Sequence, residues 1–256
     1  MLKQLNMVGG VIRAMAEMSS LNDAHSWAAS AVRGPFGLIV VRDNRDTPPR
    51  PEQPPELYEF EPCPYCRKVR EVMTELDLAY VSRTCARGAA AKRRQAVDRG
   101  GQQKFPFLVD PNTGEQLYES ELILTYLADT YGPGRSRLSR AAANANTTIS
   151  GITTLVRCRG RRVLPGLQNR DQPDELLVLY NIEASPYCRK VRETLSELNL
   201  DYEVRNVGKF SARRDELIER GGKMMVPYLI DPNRREEMYE SDDIIAYLKR
   251  NYGSDG

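Results

Sequence analysis

The sequence predicts an α/β protein in which one structural unit, with the element order βαβαββα and a mixed four-stranded sheet, occurs twice in tandem. The first observation is a repeat, since residues 61–66 read EPCPYC and residues 183–188 read EASPYC. Self-similarity over long matching stretches indicates a duplicated structural unit. The second observation is that short apolar segments alternate with segments of helical periodicity in each unit. We therefore expect one fold that is built twice.

The repeat extends far beyond these two motifs. Five further pairs of segments match: RKVRE at 67–71 and 189–193, TELDL at 74–78 with SELNL at 196–200, RGG at 99–101 and 220–222, FPFLVDPN at 105–112 with VPYLIDPN at 226–233, and YES at 118–120 and 239–241. The pairs predict two domains, residues 56–132 with CPYC (copy 1) and residues 175–256 with SPYC (copy 2). Residues 1–55 then form a leader with a proline-rich end. Residues 133–174 form a linker with a helical or apolar segment and an arginine cluster.

The first half of each unit is predicted to be strand, helix and strand. Residues 57–60 and 176–181 have the composition of short strands that lead into the motifs. From Pro64 to about Leu76, and likewise in copy 2 from Pro186, apolar residues fall at helical spacing. Proline suits a first helical turn, because its missing N–H would have no partner there. Residues 79–83 and 202–205 are the next strands.

The second half of each unit is predicted to be helix, two strands and helix. The charged segments at 89–98 and 212–219 run into double glycines, which favour a helix end. Residues 105–109 and 228–230 are predicted strands, followed in copy 1 by an Asp-Pro-Asn turn and a return strand. The return strand is predicted at 116–118. Ser120 and Ser241 are predicted to be the N-cap residues of the final helices.

Composition excludes several classes of function. The chain has 41% hydrophobic and 28% charged residues and a net charge of +2, as expected for two soluble domains. We expect no transmembrane segment, because no apolar run approaches the roughly 18 residues required. We also expect no secretory signal. A nearly balanced charge without a recognisable motif argues against nucleic-acid binding. Five cysteines, only two of them close in sequence, indicate a reducing compartment rather than a disulfide framework.

The element order, the Cys-x-x-Cys at the first strand-to-helix junction and the proline before the third strand carry a resemblance. Each unit resembles a thioredoxin-fold domain of the glutaredoxin and glutathione S-transferase N-terminal type, over residues 56–132 and 175–253. The tandem arrangement is similar to a family of paired glutathione S-transferase N-terminal domain proteins of cyanobacteria and plastids, in which the first copy tends to carry Cys-Pro-x-Cys and the second Ser-Pro-x-Cys. This resemblance implies a plastid (chloroplast) location, with the cytoplasm as the alternative.

Cys63 is the predicted nucleophile of copy 1. At the amino end of a helix its sulfur meets free backbone N–H groups and the positive end of the helix dipole, which favour the thiolate. Cys66 lies one turn along and can resolve a mixed disulfide on Cys63. Arg67 and Lys68 add positive charge nearby. A Cys-x-x-Cys pair can also be half of a zinc site, but His25 is the only histidine, so we expect no metal.

The resemblance implies a glutathione site in copy 1. The residue before a cis-proline would offer its backbone to the peptide part of glutathione, which assigns Phe105 and Pro106. The pair Glu119 and Ser120 would hold the γ-glutamyl group, and an anion at a helix amino end is physically reasonable. Alternatively, the proline only shapes a turn and the serine only caps a helix.

Copy 2 has lost the first cysteine of the motif. Its candidate residues are Ser185, Cys188, Val226, Pro227, Glu240 and Ser241. A serine hydroxyl stays protonated near neutral pH and cannot exchange disulfides, although it could hydrogen-bond a glutathione thiolate. A lone cysteine in the first helix turn is more often an inert small residue. We expect copy 2 to bind or to be structural. Cys85 and Cys158 have no counterpart in the other copy and are expected to be incidental.

The leader and the linker are related to each other. Both contain an apolar stretch, then Val-Arg at 32–33 and 156–157, then Asn-Arg-Asp at 44–46 and 169–171. The segments at 11–18 and 152–156 are predicted to be an amphipathic helix and an apolar contact surface, while His25 and Trp27 are packing or surface residues. An arginine cluster follows, Arg157, Arg159, Arg161 and Arg162. It could meet an acidic partner or a membrane surface, or be solvated like most such runs.

Two functions of different classes follow. The first is a glutaredoxin-like, glutathione-linked thiol-disulfide oxidoreductase that acts on glutathione or a protein disulfide. The second is a non-catalytic thioredoxin-fold scaffold or accessory subunit of a plastid or organelle membrane complex, which could be photosynthetic, bound through the leader and residues 133–174. We expect no conjugation of hydrophobic substrates, because a complete transferase adds a large helical domain and residues 133–174 and 254–256 are too few to form one.

Overall fold

The computed structural model describes residues 22–24, 26–28, 37–40, 50–132 and 159–253. Several expectations lie outside the described residues. These are the segments at 11–18, 44–46 and 152–156, and the single residues His25, Arg157 and Cys158.

Copy 1 has the predicted order of elements. They are β1 (Glu56–Glu59), α1 (Pro64–Glu75), β2 (Ala79–Thr84), α2 (Ala90–Gly100), β3 (Phe107–Val109), β4 (Gln116–Tyr118) and α3 (Ser120–Tyr131). Strand β1 pairs in parallel with β2 and antiparallel with β3, which pairs antiparallel with β4. The result is the mixed four-stranded sheet that the sequence predicts.

Copy 2 repeats this architecture. Its elements are β5 (Leu177–Asn181), α4 (Pro186–Glu197), β6 (Tyr202–Asn206), α5 (Arg213–Gly221), β7 (Tyr228–Asp231), β8 (Glu236–Tyr239) and α6 (Ser241–Tyr252). The strand pairings are the same as in copy 1. The prediction of an α/β protein with two thioredoxin-like units is therefore confirmed.

Two details of the prediction are wrong. The third strand begins at Phe107 and not at residue 105, because Phe105 and Pro106 are joined by a cis peptide bond and lie before the ladder. Ser120 and Ser241 are the first residues of their helices and not the N-caps. The cap positions belong to Glu119 and Glu240, whose φ of 65° turns the chain into the helix without a capping side-chain hydrogen bond.

The two copies form a single sheet. Strand β2 pairs antiparallel with β6, for example Tyr80 opposite Val204. The strand order across the eight-stranded sheet is β4-β3-β1-β2-β6-β5-β7-β8. One apolar cluster includes buried residues of both copies, such as Leu57, Val69, Leu179 and Val191. The copies therefore share a core, which favours their folding as one unit.

A buried ionic cluster also joins the copies. Arg70 and Arg192 occupy equivalent positions on α1 and α4, and both side chains are fully buried. The Arg70 Nε lies 3.1 Å from Oε2 of Glu183, and the Arg192 Nε lies 3.0 Å from Oε2 of Glu61. Each arginine thus binds a glutamate of the opposite copy. Glu59 adds a third carboxylate, which pairs with Arg70.

Two short extended segments cross between the copies. We call residues 37–40 strap 1 and residues 160–163 strap 2. Strap 1 precedes copy 1 but pairs with copy 2, where the Val40 N–H donates to the Lys209 carbonyl at 2.9 Å. Strap 2 precedes copy 2 but pairs with copy 1, where the Arg87 N–H donates to the Arg161 carbonyl at 2.8 Å. Each copy is therefore covered by the strap that precedes the other one.

Both straps begin at a glycine that the structure requires. Gly37 and Gly160 have φ values of 68° and 75°, which favour glycine. A Cβ on Gly37 would lie 2.9 Å from the Cβ of Glu183, and a Cβ on Gly160 would lie 3.1 Å from the Cα of Glu193. The glycines thus allow the straps to approach the helices and the ionic cluster closely. Within the part of the chain that the structure describes, no helix is long and apolar enough to cross a membrane.

Candidate functional site

The sheet register brings the predicted site residues of copy 1 to one edge. Tyr58 of β1 lies opposite Phe107 of β3, which lies opposite Tyr118 of β4. The chain leaves β1 toward the Cys63 motif, enters β3 from Pro106 and leaves β4 toward Glu119. All three landmarks therefore meet at the same end of the strands. The equivalent register in copy 2 does the same for its own candidate residues.

Cys63 is the N-cap of α1, where its sulfur accepts a hydrogen bond from the Cys66 backbone N–H at 3.3 Å. Burial is the largest influence on this thiol and opposes the thiolate. Hydrogen bonds from the Cys66 side chain and from the backbone N–H groups of Cys66 and Tyr65 outweigh burial and lower the pKa of Cys63 below its usual value. Arg70 contributes in the same direction. The position and the shift fit a nucleophile.

Cys66 has the opposite properties. Burial, followed by the hydrogen bond and the charge of Cys63, raises the pKa of Cys66 well above the usual value for a thiol. The two thiols thus differ in acidity although they lie one helical turn apart. Neither is open to solvent, since Cys63 is 3% exposed and Cys66 is fully buried. Attack by Cys63 on a large molecule therefore requires local opening.

The glutathione landmarks have the backbone geometry that the resemblance implies. The Phe105–Pro106 and Val226–Pro227 bonds are both cis. Glu119 is exposed and forms an ion pair with Lys104, while Ser120 is buried at the start of α3. The Tyr118 hydroxyl donates to the Gln102 carbonyl at 3.0 Å and ties the end of β4 to the segment before the proline. The loop and the helix end are thereby held together.

Copy 2 has the same backbone arrangement, but a serine replaces the first cysteine of the motif. Ser185 caps α4, and its Oγ accepts from the Cys188 N–H at 3.3 Å. Cys188 is fully buried, and burial raises its pKa. Val226, Pro227, Glu240 and Ser241 occupy the places of their copy 1 equivalents. Copy 2 therefore has a hydroxyl in the cap position where copy 1 has a thiol, and its remaining thiol is buried with a raised pKa.

The helical residues 22–24 and 26–28, which we call the leader segment, lie against the motif of copy 2. The Ser26 Oγ donates to the Pro186 carbonyl at 2.7 Å, and the Arg189 Nη1 donates to the Ser26 carbonyl at 3.0 Å. The ring of Trp27 packs edge-on against Tyr187 with 6.0 Å between centroids. Trp27 is therefore a half-exposed packing residue, as predicted. The leader segment contacts the helix that begins after Ser185, and Ser185 itself stays partly exposed.

A second difference between the copies is the residue at the end of the strand that leads into each motif. Glu59, at the end of β1, accepts a hydrogen bond from Ser82 and pairs with Arg70. Burial raises the pKa of Glu59, and its charge contributes to the raised pKa of Cys66. In copy 2 the equivalent residue is Asn181, which accepts from the Arg192 Nη1 at 2.6 Å. The copy that keeps both cysteines also keeps a carboxylate close to them.

The sequence did not indicate three parts of this site. It pointed to Arg67 and Lys68 as the nearby cations, but Lys68 pairs with Glu121 on α3. The cation that influences Cys63 through its charge is Arg70, which is one turn beyond Cys66 on the same helix face. Glu59 and the leader segment were also missed, because their roles depend on contacts between distant segments. Among the described residues, no cluster of histidine, cysteine or acidic side chains could hold a metal ion.

Comparison with solved structures finds similarity to glutathione transferases. Two solved structures of the Bombyx mori glutathione transferase BmGSTD1, one of them in complex with GTT, are 26% and 25% identical to the chain. Each alignment covers 38% of this chain and 47% of that chain, with TM-scores of 0.32 and 0.31. Leishmania TDR1, described as a unique trimeric glutathione transferase, is 15% identical over 77% of this chain and 67% of that chain, with a TM-score of 0.30.

The chain thus aligns with about half the length of the Bombyx mori enzyme. No curated protein matches the chain. The glutathione S-transferase N-terminal domain family matches it twice, at residues 57–136 and 179–256. These two matches together span more than half of the sequence, and they coincide with the two units of the sheet. The chain therefore belongs to the family of proteins with a glutathione S-transferase N-terminal domain, and it contains two such domains.

Proposed function

We propose that the protein is a glutathione-linked thiol-disulfide oxidoreductase that acts through copy 1. The observation that carries the proposal is the split between two neighbouring thiols. The pKa of Cys63 is lowered by hydrogen bonds at the helix amino end, and the pKa of Cys66 is raised. A nucleophile that ionises readily beside a thiol that stays protonated is the arrangement that dithiol exchange uses. Copy 2 lacks it.

The reaction follows from these roles. The Cys63 thiolate attacks one sulfur of a disulfide, the S–S bond breaks, and the departing thiolate takes a proton from solvent. Cys66 then loses its proton and attacks the Cys63 sulfur, which releases the second thiol and leaves a Cys63–Cys66 disulfide. Two molecules of glutathione reduce that disulfide and become glutathione disulfide. Two electrons thus pass from glutathione to the substrate disulfide.

Glutathione would bind along the edge where the three landmarks meet. The backbone of Phe105 would pair with its peptide part, and the amino end of α3 at Ser120 would receive the γ-glutamyl carboxylate. Glu119, which pairs with Lys104, would face the ammonium group. Membership of the chain in the glutathione S-transferase N-terminal domain family supports this ligand class. Copy 2 would bind glutathione or serve the architecture.

One observation favours the second function, a scaffold or accessory subunit. Cys63 is only 3% exposed, and the copies are fixed to each other by crossing straps and a buried ionic cluster. Two domains that are fixed to each other, with a buried Cys63, are suited to be a component of a larger assembly. The paired cyanobacterial and plastid type, the plastid location and a membrane complex as partner belong to this second proposal, on the resemblance alone.

A turnover assay separates the two functions. Reduction of hydroxyethyl disulfide by glutathione is measured with the wild type, Cys63→Ser and Cys66→Ser. Under the first proposal, Cys63→Ser abolishes turnover, while Cys66→Ser keeps activity with glutathione-mixed disulfides because a second molecule of glutathione can resolve the mixed disulfide on Cys63. Ser185→Ala is the matched control in copy 2 and leaves the rate unchanged. No turnover in the wild type would exclude the enzyme, and turnover that survives in Cys63→Ser would exclude Cys63 as its nucleophile.

A further inference from the structure

The two straps share a backbone placement but differ in surface chemistry. Strap 1 reads GLIV and strap 2 reads GRRV, and the bridge of Ile39 to Lys209 in copy 2 corresponds to the bridge of Arg162 to Arg87 in copy 1. The middle residues of each strap are exposed. Leu38 and Ile39 therefore present an apolar surface where Arg161 and Arg162 present two positive charges. The backbone pairing does not require the arginines.

These two arginines join three others at the same edge of copy 1. Together the residues Arg87, Arg93, Arg94, Arg161 and Arg162 form what we call the arginine surface. Within the described ranges none of the five forms an ion pair, whereas Lys92 and Arg99 of the same helix pair with Asp201 and Glu56. Burial lowers the pKa of Arg93, and the positive charge of Arg87 lowers it further. No ion pair with a described residue therefore neutralises the positive charge of this surface.

The arginine surface borders a cavity beside the redox motif. The cavity has a volume of about 500 Å³, and its lining residues are Gly88, Ala90, Arg93, Arg94, Val97 and Gln103. The Arg93 guanidinium lies 5.2 Å from the centre of the Phe105 ring, which packs edge-on against Phe60. The Phe60 carbonyl accepts the Cys63 N–H at 3.1 Å. Two aromatic rings therefore separate the cationic cavity from the loop that carries the nucleophile.

Copy 2 shows that the fold does not need all of this charge. Helix α2 carries one acidic residue, Asp98, whereas α5 carries three. In copy 2 the position of Arg94 is taken by Asp215, by alignment of the double glycines that end both helices. Arg213 on α5 lies 3.2 Å from Asp77, just as its counterpart Lys92 pairs with Asp201. Lys209 and Arg214 keep cations at the positions of Arg87 and Arg93, so the charge that distinguishes copy 1 lies at Arg94, Arg161 and Arg162.

We propose that the arginine surface binds an acidic segment of the protein whose disulfide Cys63 attacks. The role of Cys63 in this statement rests on the proposed function, whereas the binding does not. Arginine pairs with carboxylates through two parallel hydrogen bonds, so acidic side chains beside a disulfide would orient it toward the motif. Two of the five arginines, Arg93 and Arg94, line a concavity, which an extended peptide can enter and a flat membrane surface cannot. An acidic peptide is therefore the better fit.

Binding is tested with a fluorescein-labelled, cysteine-free peptide rich in aspartate and glutamate, and with its lysine-rich counterpart. Fluorescence anisotropy is measured for the wild type and for Arg161→Leu/Arg162→Ile, which places the residues of strap 1 on strap 2 and so keeps the backbone pairing. We expect the double variant to weaken acidic-peptide binding about tenfold, which lies within the range for two exposed ion pairs. We also expect the affinity to fall with salt. The single variant Arg94→Gln, on exposed helix surface, should weaken it by a smaller factor.

The matched control is Lys249→Leu/Arg250→Ile, which removes two charges from the exposed end of α6 and should leave binding within twofold. Equal binding of the acidic and the lysine-rich peptide would overturn the proposal, as would binding that the arginine variants do not change. Vesicles with anionic lipids form a third arm. Tighter binding to these vesicles than to the acidic peptide, with the same arginine dependence, would assign the surface to a membrane instead.

Turnover then separates this inference from the proposed function. Peptide disulfides with acidic or neutral flanks are compared with hydroxyethyl disulfide. We expect Arg161→Leu/Arg162→Ile to raise KM for the acidic substrate about tenfold and to leave the small disulfide unchanged. Acidic-peptide binding without any Cys63-dependent turnover would contradict the proposed enzymatic function and leave the binding inference intact. Turnover without a preference for acidic flanks would contradict the binding inference and leave the enzymatic function intact.

Discussion

The two copies share a fold and differ in a few positions that decide their chemistry. Both keep the cis-prolines, the glutamates at positive φ and the arginine pair of the ionic cluster. Copy 1 has Cys63, Glu59 and a basic strap where copy 2 has Ser185, Asn181 and an apolar strap. None of these three differences alters the strand register. The comparison teaches that the frame and the chemistry of this domain are separable, so either can be tested while the other is held fixed.

The largest effect is expected when the Cys-x-x-Cys motif is moved from copy 1 to copy 2. In a Cys63→Ser background, Ser185→Cys restores a Cys-x-x-Cys motif in copy 2. We expect it to recover less than about a tenth of wild-type turnover, because the leader segment is bonded to Pro186 and Arg189. The assay is glutathione-dependent reduction of hydroxyethyl disulfide. Full recovery would mean that the two sites are equivalent and that the leader segment does not hinder copy 2.

The ionic cluster offers a test of the shared frame. Arg70→Met leaves three buried glutamates short of a partner, and we expect it to lower the free energy of unfolding by about 3–5 kcal/mol. Arg192→Met should cost less, because Asn181 replaces the third carboxylate and is neutral. Urea denaturation measures both. Arg220→Met, which breaks the exposed pair with Glu237, should cost at most about 1 kcal/mol. Equal losses at Arg70 and Arg192 would show that Glu59 adds nothing to the difference between the copies.

The strap glycines allow a finer comparison. Gly160→Ala adds a Cβ at φ 75° and 3.1 Å from the backbone of Glu193, so we expect a loss of about 2–3 kcal/mol in thermal unfolding. Gly166→Ala has a similarly positive φ but nothing within 4 Å of the added carbon. It should cost about 1–2 kcal/mol from the backbone alone. If the two losses are the same, then strap 2 is not tightly packed against α4.

The smallest effect concerns Asp110, whose carboxylate accepts from the hydroxyls of Tyr126 and Tyr131. Burial raises the pKa of Asp110, but hydrogen bonds from Tyr131, Asn112 and Tyr126 outweigh it and lower the pKa overall. A lowered folded-state pKa gives stability that is complete above the unfolded value, about 3.9, and is lost as the pH falls through the folded value. Asp110→Asn should therefore cost about 1 kcal/mol at pH 7 and progressively less in acid.

The exposed Asp129 on α3 provides the control for that titration. Asp129→Asn should leave the free energy of unfolding within about 0.5 kcal/mol at every pH. The measurement is urea denaturation at a series of pH values from neutral to acid. A cost of Asp110→Asn that stays constant across that series would show that the ionised carboxylate is not what stabilises copy 1.

The sequence was sufficient for the internal order of each copy, because the repeat and the periodicity are local signals. It predicted Ser120 as the N-cap, which is one residue too late, because the amino-acid types alone do not show that Glu119 adopts a φ of 65°. It could not show the pairing of β2 with β6, because an edge strand has the same pattern whether or not a second sheet continues it. The likeness of the straps was hidden for a similar reason. Only their first and last residues are shared, and it is backbone hydrogen bonds that make them equivalent.

The crossing of the straps has a consequence for how the protein is made. A ribosome releases strap 1 long before Lys209, its partner, has been synthesised. Copy 1 can form its own strands early, since domains fold as the chain emerges. Its β2 edge then stays unpaired until β6 arrives, and an unpaired edge is open to association with other chains. The nascent first half is therefore most prone to association with other chains, until the synthesis of β6 allows the β2 edge to pair.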